Sequence, residues 1–347
     1  MVSATTLGIE ADAVSAWLED NVAGATGPFS FQVVAGGHSN LTYVVTAADG
    51  RRVVLRRPPL GHLLASAHDM GREHRIISAL ADTPVPVPAA LGYCADPDVT
   101  GAPFYVMEYV DGHVLRDRAA VEAALAPEAR HRAAHSLIRT LAAIHAVDID
   151  AVGLSDLARH EGYIARQLKR WYGQWQQSKT RELPAVDRAH DRLLARIPEQ
   201  GPATIVHGDF RLDNTIVSSD GEVAAVLDWE ICTLGDPMAD VGLLQVYWTG
   251  PGDDASAWTG STATTAPGFP DRTELLATYA AVSGRDLTSI DFYVAFAYWK
   301  LACIVEGVYA RYRAGAKGDV DDAQIDTFRT QVDHSATLAD EIAAGLA

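Results

Sequence analysis

The sequence predicts an α+β chain of two lobes, a small antiparallel β-rich N-terminal lobe followed by a larger helical C-terminal lobe. Short β-branched runs separated by turn residues fill residues 29–57 and recur before 110, and Ala-rich segments of helical period fill most of the remaining chain. The texture changes once, near 110–116, which divides the chain into 1–110 and 111–347.

Taken in order, residues 8–22 place Leu, Ile, Val, Ala, Trp and Leu at helical spacing, an opening amphipathic helix. FSFQVVAGG, NLTYVVTA and RRVVLRRPP come next as strands, separated by Gly37-His38-Ser39 and Asp49-Gly50, so they read as antiparallel hairpins. A helix is predicted over 67–81, ending before the extended TPVPVP. LGYC and PFYVMEYV supply two more strands. Helical period then returns over 118–147, 159–180, 184–197, 271–283, 288–313 and 321–345, interrupted by the strand-like TIVHGD with NTIV, and EVAAVLDW. No internal repeat or low-complexity tract interrupts this order.

The bulk numbers narrow the function classes. Of the 347 residues 48% are apolar, enough for a substantial core. Lys and Arg total 28 against 45 Asp and Glu, a net charge of −17, which argues against nucleic-acid or anionic-membrane partners, since both need a basic face. Cys94, Cys232 and Cys303 are far apart and show no CxxC spacing, so neither a disulfide framework nor a zinc knuckle is expected. The N-terminus MVSATTLGIEADAV has no basic segment leading into an apolar one, and no uninterrupted apolar run approaches the ~18 residues of a membrane span. The expectation is a soluble cytoplasmic protein.

One polar cluster stands out. IVHGDFRLDNTIV, residues 205–217, sets charged groups beside runs that read as buried strands, which costs free energy unless they are paired, hydrated or metal-bound. Asp228 follows 14 residues after Asn214, at the end of EVAAVL, and a turn at Ser218-Ser219-Asp220-Gly221 would bring the two segments close. One amide and one carboxylate oxygen suit a hard Mg²⁺ that takes its other ligands from water and phosphates. Asp209 would then be free to orient a hydroxyl nucleophile, the division of labour that phosphoryl transfer requires. The competing account is a hydrogen-bonded loop in which Asp209 and Asn214 only satisfy backbone groups. His207, before Gly208, reads as structural, bonding the loop backbone or Asp228; Arg211 reads as facing phosphate or pairing with Asp213.

HGDFRLDN at 207–214 resembles the HGDxxxxN loop of the aminoglycoside phosphotransferase and choline-kinase-like superfamily, and Asp228-Trp229-Glu230 stands where that family has its counterpart of the protein-kinase DFG. VLRRPP, SAHDMGREHRI and LGDPMADVG further resemble the kinase-like domains attached to some acyl-CoA dehydrogenases. The resemblance implies a protein-kinase-like two-lobed fold with a nucleotide-binding N-terminal lobe and a C-terminal lobe that carries the catalytic loop and acceptor site. It implies Asp209 as catalytic base, Asn214 and Asp228 as magnesium ligands, and ATP as phosphoryl donor. Gly36, Gly37, Ser39 and Asn40 in AGGHSNLTY match a degenerate phosphate loop, where glycine lets backbone N–H groups approach phosphate oxygens.

Strand alternation puts Val54 and Arg56 on one face and Val53, Leu55 and Arg57 on the other. Val54 would then lie over adenine. Arg56 stands where the family usually has Lys to reach the α and β phosphates, and Glu73 stands where its partner glutamate should be. MEYVDG looks like the hinge, with backbone groups of Glu108 and Val110 for the adenine edge and Met107 behind it. LGDPMADVG follows Asp228 closely, leaving no room for the activation loop of a protein kinase.

The partners expected are a nucleotide and a small-molecule acceptor. A polycationic aminoglycoside would want carboxylates, with Asp240, Asp253, Asp254, Asp271 and Glu306 as candidates. A hydroxyacyl-CoA would want cations and apolar walls, and RQLKRWYGQWQQSKTR offers Arg166, Lys169, Arg170, Lys179 and Arg181 with Trp171, Tyr172 and Trp175. The bland account of that stretch is an amphipathic helix with buried aromatics and solvated cations. The subgroup resemblance favours the hydroxyacyl acceptor. The alternative class is a nucleotide-binding pseudokinase, suggested by Arg56 in place of Lys.

Overall fold

The computed structural model describes residues 8–34, 40–60, 69–250, 253, 262–315 and 322–346. The chain forms two compact units, Met1–Gly112 with Ala224–Glu230, and His113–Val223 with Ile231–Ala347.

In the first unit, α1 (Ala11–Asn21) precedes β1 (Ser30–Val33), β2 (Leu41–Thr46) and β3 (Arg52–Arg57); α2 (Met70–Leu80) then leads to β4 (Ala90–Cys94) and β5 (Phe104–Glu108). The five strands form one antiparallel sheet in the order β1-β2-β3-β5-β4, in which the β1-β2 and β2-β3 hairpins are those the turn signals predicted. Alternation decides what each face carries. Val53 and Leu55 point with Tyr43, Val45, Phe104 and Val106 into a core closed by Val14 and Leu18 of α1. Arg57, on that same face, is buried as well, donating from Nη1 to Thr100 O (2.7 Å) and from Nε to Pro58 O (3.2 Å). The opposite face carries Arg56, in register with Tyr105 of β5. α2 starts where Asp69 caps it, its carboxylate accepting from Arg72 N at 2.9 Å, and buries Ile76, Ile77 and Leu80.

The second unit is mostly helical. The single helix predicted over 118–147 is two, α3 (Arg118–Ala124) and α4 (Pro127–His145), because Leu125 and Ala126 are extended and Pro127 can start a helix but not continue one. Along the chain come α5 (Tyr163–Ser178), α6 (Pro184–Leu194), β6 (Thr204–Val206), a 3₁₀ turn at Leu212–Asn214, β7 (Thr215–Val217), β8 (Val223–Val226, which enters the first unit) and β9 (Thr233–Gly235). β6 and β9 pair antiparallel. Next are α7 (Met238–Tyr247), a 3₁₀ turn at Ala263–Thr265, α8 (Arg272–Ser283), α9 (Ile290–Arg313) and α10 (Asp322–Ala344).

α7 and β9 were not predicted. Met238 through Val246 of α7 are all buried, so the helix has no polar stripe to reveal its period. It packs closely on α9 because residue 242 is glycine; a Cβ there would come within 2.5 Å of the Tyr293 carbonyl carbon. α9 is long and apolar enough to cross a membrane by length and composition, yet 67% of its most apolar window is buried, and its neighbours are α5, α6, α7 and α10. Its apolar character is that of a core helix.

Candidate active site

The first unit holds a buried network of charges on the α2-facing side of its sheet. Arg56 Nε lies 3.3 Å from Glu73 Oε2, and its Nη2 donates to Asp228 Oδ1 at 2.7 Å. The Tyr105 hydroxyl donates to Glu73 Oε2 (3.0 Å), and the Asn40 amide donates to Glu73 Oε1 (3.2 Å) and Glu230 Oε2 (3.0 Å). Burial opposes the Arg56 charge but Tyr105, Glu73 and Asp228 outweigh it, so the guanidinium is held above its usual range. Burial pushes the Glu73 carboxyl up to about 7, against the pull of Arg56. Asp228, with φ of 63°, is the one non-glycine with left-handed backbone among the described residues. Such a conformation costs about 1–3 kcal/mol and persists where surroundings over-determine it; here Arg56 holds the carboxylate in place.

The second unit holds the HGDFRLDN loop, and Asp240 near the start of α7 organises it. The buried Asp240 carboxylate accepts from His207 N (2.7 Å) and Gly208 N (2.8 Å), and meets His145 Nε2 at 3.3 Å. His145, the last residue of α4, has its Nδ1 2.8 Å from the Tyr279 hydroxyl of α8. Gly208 has φ of +87°, a turn that lets two successive N–H groups face one carboxylate. The loop then presents Asp209. Its Oδ1 accepts from Tyr247 OH (2.8 Å), and its Oδ2 accepts from Asn214 Nδ2 (2.9 Å) with Arg211 Nε at 3.4 Å. The same Asn214 nitrogen donates to Asp209 O at 2.8 Å, so one amide holds backbone and carboxylate together. His207 Nδ1 accepts from Asp209 N at 3.3 Å, the structural role expected of it, and Arg211 also meets Asp213 at 3.2 Å. Lys300 of α9, buried, lies 3.5 Å from Gly208 O; burial pulls its pKa down against the fields of Asp209 and Asp240.

The burial of His145 beneath the loop makes the loop acid-sensitive. Burial lowers the His145 pKa from 6.5 despite the bond to Asp240, so the folded state prefers neutral imidazole. Burial pushes Asp240 up, but its hydrogen bond with His145 and the Gly208 N–H it accepts outweigh this and keep it low. A folded His pKa below the unfolded one means stability is complete above about pH 6.5 and is lost as pH falls from there, by up to about 1.4 kcal/mol per pH unit for one proton. Denaturant unfolding of wild type and His145→Gln between pH 7.5 and 5.5 should show the steeper loss in wild type. Parallel slopes would remove His145 as the cause.

Of the predicted site residues, Arg56, Glu73, Asp228 and Asn40 come together in the first unit, and Asp209 with Asn214 in the second. Gly36, Gly37, Ser39 and Asp254 lie outside the described residues. Met107 is buried and Glu108 exposed at the end of β5, with Glu108 N donating to Ala89 O at 2.9 Å; Val110 lies in the connection beyond it.

Several suggested acceptor carboxylates are otherwise engaged. Asp240 holds the HGDFRLDN loop. Glu306, also buried, accepts from Thr180 N (2.6 Å), Thr180 Oγ1 (2.7 Å) and Arg181 Nη1 (2.9 Å). Asp271 caps α8, and Asp253 pairs with Arg272 at 2.8 Å. Among the cations of α5 and its exit, Arg181 serves Glu306, Lys179 pairs with Glu182 (3.0 Å), and Arg166 bonds Arg159 O (2.8 Å). Lys169 and Arg170 stay exposed, Arg170 against Trp171, while Trp175 is buried. Tyr105, Glu230, Tyr247 and His145 were not foreseen. No local signal marks them, since the Arg56↔Tyr105 register is set only by the pairing of β3 with β5.

Comparison with known proteins gives these clusters a setting. Mouse acyl-CoA dehydrogenase family member 10 is 37% identical over 314 residues, 89% of this chain but 29% of that protein; the chain spans between 29% and 39% of the curated relatives it matches. The structure of a candidate aminoglycoside phosphotransferase from Ralstonia eutropha JMP134 superposes with a TM-score of 0.81 at 34% identity, over 96% of this chain and 98% of the other. Aminoglycoside phosphotransferase APH(4)-Ia, solved as a ternary complex with AMP-PNP and hygromycin B, shares the fold at a TM-score of 0.61 and 15% identity, over 96% and 100% of the two chains. The two-lobed kinase-like class expected from the sequence is therefore the fold observed. The model of the phosphotransferase enzyme family (APH) matches residues 30–291, from β1 into the first turn of α9. That span takes in both clusters, and the chain belongs to this family of small-molecule kinases.

Proposed function

We propose that this chain is an ATP- and Mg²⁺-dependent O-phosphotransferase acting on a hydroxyl group of a small molecule, of the hydroxyacyl-CoA kind. The observation that carries the reading is the Asp209 carboxylate, oriented by Tyr247 and Asn214 in a loop that Asp240 holds from behind. Each Asp209 oxygen keeps acceptor capacity beyond the bonds it receives, so the carboxylate can bind an acceptor hydroxyl and take its proton as the oxygen attacks the γ-phosphorus. The new P–O bond forms as the bond to the bridging oxygen breaks, releasing ADP, and no covalent enzyme intermediate is involved.

Asn214 and Asp228 are the magnesium ligands the resemblance implies, and the donor atom of each, taken by itself, would suit the ion. The Asn214 nitrogen is committed to Asp209, so the amide's remaining polar atom is an oxygen. Asp228 gives one oxygen to Arg56 and keeps the other. Hard oxygens of this kind suit Mg²⁺, which when bound neutralises charge on the transferring group. Arg56, paired with Glu73, would meet the phosphates, the role the resemblance also implies for Gly36, Gly37 and Ser39, and Asn40 keeps Glu73 in place. Met107, the Glu108 carbonyl and Val110 would receive adenine. The AMP-PNP complex of APH(4)-Ia supports ATP as donor.

Two considerations favour a hydroxyacyl-CoA over an aminoglycoside. Asp240, Glu306, Asp271 and Asp253 are engaged within the protein, which removes most of the carboxylates a polycation would need. The 37% identical relative is an acyl-CoA dehydrogenase family member. Nucleotide consumption against hydroxyacyl-CoAs, aminoglycosides, choline-like amines and sugars, with and without magnesium, tests the reading. Magnesium-dependent turnover confined to hydroxyacyl-CoAs is expected. Turnover with aminoglycosides alone would overturn the acceptor class, and turnover undiminished by chelation would overturn the metal.

A further inference from the structure

Outside the residues of both clusters, α4 and α8 bring three metal-binding side chains to one point. His131 and His135 stand four residues apart on α4, so their side chains share a face one turn apart. Glu274, in the first turn of α8, places Oε1 2.8 Å from His131 Nε2 and 2.8 Å from His135 Nε2. The ring centroids are 4.5 Å apart, and the three ligand atoms all lie within 4.8 Å of one another. We propose that His131, His135 and Glu274 form a binding site for a divalent transition-metal cation of the Zn²⁺ type.

The donor set selects the cation class. Two imidazole nitrogens and one carboxylate oxygen suit Zn²⁺ and its first-row neighbours, whereas Mg²⁺ prefers oxygen donors throughout. The site is therefore chemically distinct from the Asn214 and Asp228 pair. Without a cation, a single carboxylate oxygen must serve two N–H groups from crowded rings. With one, both Nε2 lone pairs turn to the metal and each ring proton moves to Nδ1. For His135 the neighbouring group is Thr278 Oγ1, 3.5 Å from Nδ1, the kind of outer partner that fixes the tautomer of a ligating histidine.

The two helices hold the three ligands in place. Asp271 Oδ1 accepts from Glu274 N at 2.9 Å and pins the first turn of α8. Leu275 and Tyr279 are fully buried, so α8 cannot turn Glu274 away. The His145–Tyr279 contact (2.8 Å) ties the far ends of α4 and α8, and Arg130 Nη1 donates to Pro267 O (2.8 Å) near the other end. His131 and Glu274 are about half exposed, with side-chain exposures of 51% and 45%, against 26% for His135. Three protein ligands at an accessible rim leave coordination positions for water.

The test is a Zn²⁺ titration of the full chain, first stripped with chelator, in competition with a chromophoric chelator. His135→Ala and Glu274→Ala are run in parallel, with circular dichroism to confirm folding. One equivalent is expected in wild type, undisturbed by excess Mg²⁺, with affinity reduced roughly tenfold or more in each variant. Zn²⁺ should also raise the thermal midpoint of wild type and not of folded variants. Equal affinity and stoichiometry in all three proteins, or no binding in wild type, would overturn the assignment.

Discussion

Asp209→Ala is expected to lower phosphoryl transfer by about 10²–10⁴-fold, the usual share of a positioned general base, while ATP binding changes little. The structure says why the loss should be chemical and not a collapse of the loop. The backbone on either side of Asp209 is held without its side chain, through Asp240 at His207 and Gly208 and through the Asn214 bond to Asp209 O. Tyr247 and Asn214 lose an acceptor, but Asp209 is not fully buried and water can take its place. Measured kcat should fall with the nucleotide dissociation constant preserved. Turnover within a few-fold of wild type would sink the assigned mechanism and return Asp209 to the part of a loop-bonding residue.

Arg56→Met should be the most damaging substitution for stability. It removes the cation between Glu73 and Asp228 and leaves Glu73, 1% exposed, with only neutral donors. Removing one partner of a buried ion pair costs about 3–5 kcal/mol, because the other charge stays buried and uncompensated. The pH dependence carries a signature. A carboxyl whose folded pKa lies above its unfolded value of 4.5 loses stability as pH rises between the two, and in wild type that window closes at about 7. Without Arg56 the folded value rises further, so the deficit of Arg56→Met should widen above pH 7. Denaturant unfolding at pH 7 and 8.5 measures this directly.

The double variant Arg56→Met with Glu73→Leu should recover part of the loss, since it removes the stranded charge as well. Arg56→Lys should fall between, because a compact ammonium cannot reproduce the fork that meets two carboxylates at 3.3 and 2.7 Å. A deficit below about 1 kcal/mol for Arg56→Met, the range of exposed ion pairs, would show that the network is not insulated from solvent.

The features legible in the sequence had a local cause. The five-stranded sheet was legible because β-branched alternation and the turns between runs are short-range signals. The same alternation put Arg56 opposite the core-facing Val53 and Leu55, as observed. The octapeptide at 207–214 was legible because its charged residues stand between apolar runs, a pattern with few other uses. The split between α3 and α4 could have been read from Pro127. α7 could not, because a helix buried on every side shows no amphipathic period, and with it Tyr247 was missed as the residue that orients Asp209.

Asp240 shows where such reading stops. As a carboxylate in the C-terminal half, it suited a surface for cationic acceptors; in the folded chain it is buried beneath the HGDFRLDN loop. Glu306 changed roles in the same way, from open carboxylate to the partner of Arg181 and Thr180. The sequence by itself determined the order of the motifs, the faces of the strands and the identity of the loop, all properties of residues a few positions apart. Which carboxylates remain available for chemistry was decided only by the tertiary structure. A carboxylate is neutralised or left open by donors 33 or 126 positions away, and only the packing of the helices brings those donors within reach.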